Sequence, residues 1–126
     1  MKSVIRNFLL VGLGGAIGSI LRYAGTLLSG TNLFPWAILL INITGSFVIG
    51  AVMAISLKNE VFANNWKLFL ATGICGGFTT FSAFSLDNLL LLENGKYVML
   101  SLNIAGSVLL GMAAVWLGYR LTALWI

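Results

Sequence analysis

Four long apolar runs joined by short polar links are the feature that most constrains this chain. They cover about Val4–Leu28, Trp36–Leu57, Trp66–Leu92 and Tyr97–Leu124. Each exceeds the roughly 20 residues a helix needs to cross the hydrocarbon core of a bilayer. Inside lipid every backbone N–H and C=O needs a partner within the protein, so helices are the expected form. The links Ser29-Gly30-Thr31-Asn32, Lys58-Asn59-Glu60 and Glu93-Asn94-Gly95-Lys96 leave no room for a further domain. The pattern therefore predicts an all-α membrane protein, one four-span domain over residues 1–126. Only 8% of the residues are charged, against about 25% in a soluble domain.

The charges that remain are informative by position. A net charge of +4 is spread along the chain without a basic patch, so it is not a nucleic-acid footprint. With four spans both termini lie on one side. Lys2, Arg6, Lys58, Lys67 and Arg120 share that side, against Arg22 and Lys96 on the other. The positive-inside rule then favours termini in the cytoplasm. The start Met1-Lys2-Ser3-Val4-Ile5-Arg6 has the form of a signal peptide's charged region. It is expected to remain as the first span, because no small-x-small cleavage site precedes a soluble domain. There is no His and a single Cys, Cys75, which excludes Cys/His metal clusters and disulfides within the chain. No nucleophile–base constellation is available, so an enzyme is not expected.

The third run is the unusual one. Its centre reads Gly73-Ile-Cys-Gly-Gly-Phe-Thr-Thr-Phe-Ser-Ala-Phe-Ser85. Glycines loosen the backbone here, and Thr79 or Thr80 can cap a new helix. The spacing predicts a span broken near its centre, which lipid tolerates only where protein or a polar cavity receives the freed groups. After the restart, Phe81 and Phe84 share one face, and Ser82 and Ser85 the adjacent one. The carbonyls freed at Gly76 and Thr79 are able to hold a small hard cation such as Na⁺. One chain supplies too few of them, and two breaks meeting on a two-fold axis supply more.

Elsewhere the intramembrane polar set is rich in neutral donors. Arg22, late in the first span, either snorkels to the interface or places a positive charge in a vestibule. Asn42, Asn103 and Ser107 either join helices or offer donors to an anion. Phe81 and Phe84 either pack or present their partly positive ring edges to an anion. A carboxylate in the first span is absent, which favours an anion path over cation export. Small-x-x-x-small pairs at Gly14/Gly18, Gly15/Ser19, Ser46/Gly50 and Ser107/Gly111 predict close helix contacts. Asn42–Gly50 and Asn103–Gly111 both read Asn-Ile-x-Gly-Ser-x-x-x-Gly, which predicts an amide and a hydroxyl at matching depth on two helices.

At Gly73–Ser85 the chain closely resembles the Fluc/CrcB family of fluoride channels, whose pattern is Gly-x-x-Gly-Gly-x-Thr-Thr-Phe-Ser-Thr-Phe-Ser. Gly14, Gly15, Gly18, Leu21-Arg22, Asn42, Gly45 and Ser107 support the match, which covers essentially the whole chain. The resemblance implies an antiparallel, dual-topology dimer with two fluoride pores in a prokaryotic cell membrane. It implies a structural Na⁺ at the dimer centre on the Gly76 and Thr79 carbonyls. It implies a fluoride path along Phe81 and Phe84 with Asn42 nearby, Arg22 in the vestibule, and Ser82, Ser85 and Ser107 as its polar track. The implied role is passive export of fluoride that entered as HF. The chain departs from the family pattern at Ala83 (usually Thr), Asp87 (commonly Glu) and Gly111 (a second serine in some members). The uneven basic charge fits a second possibility, one subunit of a paired heterodimer. A small multidrug-type exporter shares the four-span dimer plan but needs an embedded Glu in the first span.

Overall fold

The structure, a computed structural model, describes residues 1–28, 30 and 33–126. All regular elements among them are helical. Helix α1 spans Lys2–Leu27, α2 Trp36–Lys58, and a short α3 Glu60–Asn65. Leu68–Cys75 is wound as a π-helix and continues into one α-helical turn, α4, Gly76–Phe78. Helix α5 spans Phe81–Glu93 and α6 Tyr97–Trp125. Four of these runs are long and apolar enough to cross a membrane: Lys2–Leu27, Trp36–Lys58, Leu68–Glu93 and Tyr97–Trp125. Much of their apolar surface is exposed, including Phe8, Ile20, Leu109 and Met112. A water-exposed patch of that extent would be costly, whereas lipid accommodates it. The chain is a multi-pass membrane protein.

The helix ends follow local chemistry. Pro35 precedes α2, where its missing N–H costs nothing. Asn59 is extended, and its side chain accepts from Phe62 N–H at 2.9 Å, which starts α3. The sequence reading treats Lys58-Asn59-Glu60 as a plain link and does not anticipate this helix. Helix α5 ends on Gly95 at φ +65°, with Gly95 N–H on the Leu92 carbonyl and Lys96 N–H on that of Leu91. That pair of bonds is the Schellman arrangement, and it turns the chain directly into α6. The link at Ser29, Thr31 and Asn32 lies outside the described residues.

Small residues decide which helices touch. Gly14 and Gly18 of α1 lie directly on the backbone of the third span. A methyl group at Gly14 would meet the Phe69 carbonyl and Gly73 Cα, and one at Gly18 the Ile74 carbonyl and Phe78 N. Residue numbers rise together along this contact, so α1 and the third span run parallel. On α2 and α6, Gly50 leaves room for the Val115 carbonyl and Gly118 for that of Phe47. These helices also run parallel: Gly111 lies by Ser46, and Lys58 Nζ donates to the Ala123 carbonyl at 3.1 Å. This pairing corrects the expectation drawn from the Asn-Ile-x-Gly-Ser repeat. The repeat predicts matching depth, whereas Ser46 lies by Gly111, so the two copies are offset by about one helical turn. Backbone contact at the glycines sets that offset, and sequence similarity has no part in it.

The glycine contacts predict an asymmetry. Gly18→Ala should destabilise the fold by about 1–3 kcal/mol, the usual cost of overpacking. Gly12→Ala, where nothing lies within 4 Å, should be neutral or stabilising by up to about 1 kcal/mol. Unfolding midpoints in detergent micelles would test this, and equal effects at both positions would contradict the packing account.

Candidate functional site

The third span changes course at two residues. Thr79 (φ −76°, ψ 156°) and Thr80 (φ −152°, ψ 120°) are extended, between α4 and α5. Five backbone or hydroxyl groups have named partners there. Thr79 donates both its N–H (2.9 Å) and its Oγ1 hydroxyl (2.8 Å) to the Cys75 carbonyl. Thr80 Oγ1 accepts from Ala83 N–H at 3.1 Å and so caps α5. Asn42, on α2, spans the remaining gap. Its Oδ1 accepts from Thr80 N–H at 2.8 Å, and its Nδ2 donates to the Thr80 carbonyl at 3.1 Å. Gly45, one turn along α2, has no side chain to collide with the Thr79 methyl.

With Thr79 and Thr80 extended, the carbonyls of Gly76, Gly77, Phe78 and Thr79 all lose the donors four residues on that a continuous helix would give them. In an unbroken helix Thr80 N–H would close on the Gly76 carbonyl and Ala83 N–H on that of Thr79. Here Asn42 Oδ1 takes the first donor and Thr80 Oγ1 the second. Gly76 and Thr79 both border a cavity of about 400 Å³ beside the two extended residues. Its wall includes Asn42, Gly45, Ser46 and Ile49 of α2, Ala71 and Cys75, Thr80, Phe81 and Phe84 of α5, and Ser107 and Val108 of α6. Phe81 is 79% exposed at its rim. The Phe81 and Phe84 ring centroids are 5.6 Å apart, with planes inclined at 42°.

The candidate residues divide cleanly. The structure gathers Asn42, Gly76, Thr79, Phe81, Phe84 and Ser107 around this one cavity. Ser107 Oγ is buried and has no hydrogen-bond partner among the described residues, so its donor is available to a guest. Ser82 and Ser85 lie outside the cavity wall. Ser82 Oγ pairs with Thr80 Oγ1 at 3.2 Å, and Ser85 Oγ donates to the Phe81 carbonyl of its own helix at 2.9 Å. Arg22 sits on α1, half-buried, and is likewise not in the wall.

Of the two roles the sequence leaves open for Asn42, joining helices or offering a donor to an anion, the structure shows the first, and the sequence does not say that its partner is Thr80. An Asn on a helix level with a glycine-rich interruption is the signal that would suggest it. The amide keeps a second Nδ2 hydrogen beyond the one that Thr80 takes. No group of three or more His, Cys, Asp or Glu side chains able to hold a metal occurs among the described residues. Backbone carbonyls are the cation ligands on offer, which suits a hard monovalent ion better than a transition metal. The cavity thus brings Gly76 and Thr79 together with Ser107 and two aromatic residues.

The family profile described as "CrcB-like protein, Camphor Resistance (CrcB)" matches residues 9–119. A protein of Oceanobacillus iheyensis named "Fluoride-specific ion channel FluC" is 44% identical over 118 residues, covering 93% of this chain and 92% of its own. A protein of the same name from Azobacteroides pseudotrichonymphae is 44% identical over 122 residues, covering 94% and 98%. Another from Thermus thermophilus is 45% identical over 120 residues, covering 93% and 95%.

Asn42→Leu should remove both bonds to Thr80 and leave its N–H stranded in an apolar setting, while its carbonyl, as the N-cap of α5, keeps the first intrahelical bond. The expected loss is about 1–3 kcal/mol of stability. Hydrogen exchange should report it locally, with Thr80 N–H losing protection. Protection equal to the wild type would show that Asn42 does not support the break.

Proposed function

This chain belongs to the CrcB-like family, and from that premise we propose that it is a passive, fluoride-selective channel that exports cytoplasmic fluoride. The observation that carries the reading is the cavity beside Thr79 and Thr80. A buried Ser107 hydroxyl without a protein partner lines it together with Phe81 and Phe84. The names of the relatives supply the ion.

The chemistry of the wall suits a small anion. Fluoride gives up hydration only where donors replace it. Ser107 offers an O–H, and the second Nδ2–H of Asn42 offers an amide donor. The edges of the two Phe rings carry partial positive charge, and they add attraction without a basic side chain that would trap the ion. Arg22 supplies positive charge on α1, where it raises the local anion concentration of a vestibule. Ser82 and Ser85 stand on α5 as secondary track residues; release of their present bonds is required before they donate to an ion.

The same reading makes the third span a broken membrane helix with a structural Na⁺ beside the break. The diverted donors of Gly76 and Thr79 support this, since both carbonyls lack their helical partners. When bound, Na⁺ supplies a fixed positive charge next to the anion path. Two carbonyls fall short of a full oxygen shell, so the site calls for an equivalent pair from a second, antiparallel copy. The exposed rim at Phe81 and the unpaired apolar faces are consistent with such a copy. Both subunits then lie across a cell membrane, and transport follows the fluoride gradient without catalysis.

Liposomes containing this chain alone and loaded with fluoride provide the test. Efflux should exceed that of empty liposomes by orders of magnitude. Phe81→Ile and Phe84→Ile should each cut efflux by about tenfold or more, with the protein still folded. Unchanged efflux in both variants would remove the rings from the mechanism. A second reading, one half of a paired heterodimer, is favoured by the five-to-two bias of basic residues towards the terminal face. It predicts no efflux until a homologue of opposite bias is added. Exchange of Na⁺ for a bulky organic cation should lower the dimer's melting temperature by several degrees if the carbonyl site is structural. An identical melting curve in both salts would oppose the Na⁺ assignment.

A further inference from the structure

Below the cavity, on the seam between α5 and α6, lies a polar contact that the channel reading leaves unused. Asn103 is 2% exposed, and its Nδ2 donates to Asn88 Oδ1 at 2.8 Å. Neither amide belongs to the cavity wall. Their positions nevertheless tie them to it. Asn88 follows Phe84 by one turn of α5, and Asn103 precedes Ser107 by one turn of α6. Residues four apart on a helix share a face. Phe84 and Ser107 therefore form one level of the antiparallel seam, and Asn88 with Asn103 the next.

We propose that the Asn88–Asn103 amide pair is a positioning pair that fixes the register of α5 on α6, and with it the placement of Phe84 opposite Ser107. The physical need is specific to lipid. Lipid tails are as apolar as Leu, so the leucines of α5 gain little from one register over a neighbouring one. A buried amide pair differs, because any slip strands a donor and an acceptor where water does not reach. Helix α5 is tied to α2 at its first turn, through Asn42 and Thr80. The amide pair supplies a second fixed point two turns further on. Between the two points lies Phe84, which lines the same cavity as Ser107. Slip by one residue along a helix moves a side chain by about 1.5 Å and turns it by about 100°. A ring displaced so far no longer stands over a path sized for a small ion.

The inference rests on the fluoride-channel reading for its functional consequence, but its structural half is measurable without any flux. Spin labels at Leu89→Cys and Leu102→Cys, both exposed positions, in a Cys75→Ala background would report the α5–α6 distance. The wild type should give one narrow distance distribution. Asn88→Leu and Asn103→Leu should shift or broaden it, and Asn103→Gln, which keeps the amide, should broaden it less. An unchanged distribution in both Leu variants would overturn the register claim whatever the flux. In liposomes the Leu variants should lose fluoride efflux by about fivefold and gain chloride leak relative to fluoride. The double variant should be no worse than either single, since all three lack the same bond. Wild-type efflux and chloride exclusion in the Leu variants, or losses that multiply in the double, would also refute the pair's role. A wild type that passes no fluoride would count against the channel reading, and the spin-label distances would still decide the positioning claim. If Asn103→Leu does not fold, Asn88→Leu and Asn103→Gln decide by the same readouts.

Discussion

Two hydrogen bonds between the Asn42 amide and the backbone of Thr80 make the rest of the site possible. An interruption within a membrane-spanning helix exposes N–H and C=O groups where water is absent. Each such group costs several kcal/mol if it finds no partner. Asn42 presents an acceptor and a donor at the correct spacing, so it replaces a missing stretch of helix with one side chain. The threonines complete the repair from within, Thr79 on the Cys75 carbonyl and Thr80 on Ala83 N–H. The repair is selective. It gives Thr80 N–H and Ala83 N–H side-chain partners and leaves the carbonyls of Gly76 and Thr79, two residues that border the cavity, without their helical donors.

Glycine packing is the second half of the construction. Close backbone contact between α1 and the first half of the third span depends on Gly14, Gly18, Gly73 and Gly77. Contact between α2 and α6 depends on Gly50 and Gly118. Dispersion and close approach hold helices together in lipid, where the hydrophobic effect between them vanishes. The two glycine seams build a rigid frame, and α5 hangs from it by polar fasteners at either end of its cavity-facing turn. The frame holds position, and α5 carries the two Phe rings that line the cavity.

Several features were plain before any coordinates. Four spans follow from run lengths and from the scarcity of charge. The singular nature of Gly73–Ser85 follows from glycine and hydroxyl crowding in an apolar run. A threonine cap at Thr79 or Thr80 follows from the residue types before Phe81, and the structure selects Thr80. Other features were not visible. The π-helical winding of Leu68–Cys75 carries no distinctive residue, because α and π turns differ in hydrogen-bond register and accept the same side chains. The wall of the cavity draws on four separate stretches of chain, and no local pattern predicts that Ser107 belongs to it while Ser85 does not. Ser85 turns back on its own helix, an option open to any serine in an apolar run.

The sequence by itself determined the class of protein, the number of spans and the family. These rest on composition and short-range pattern, which lipid makes unusually decisive because it forbids irregular backbone. Tertiary structure alone decided what fills the interruption and which polar groups stay free. Asn42 and Thr80 are 38 residues apart in the chain, and their meeting depends on how glycine seams set helix against helix. The offset of α2 on α6 shows the same limit. A nine-residue echo set Asn42–Gly50 and Asn103–Gly111 at matching depth, and backbone contact at Gly50 and Gly118 offsets them by about a turn. Helix register in a membrane is an outcome of close packing between distant segments, so it becomes legible only once they are in contact.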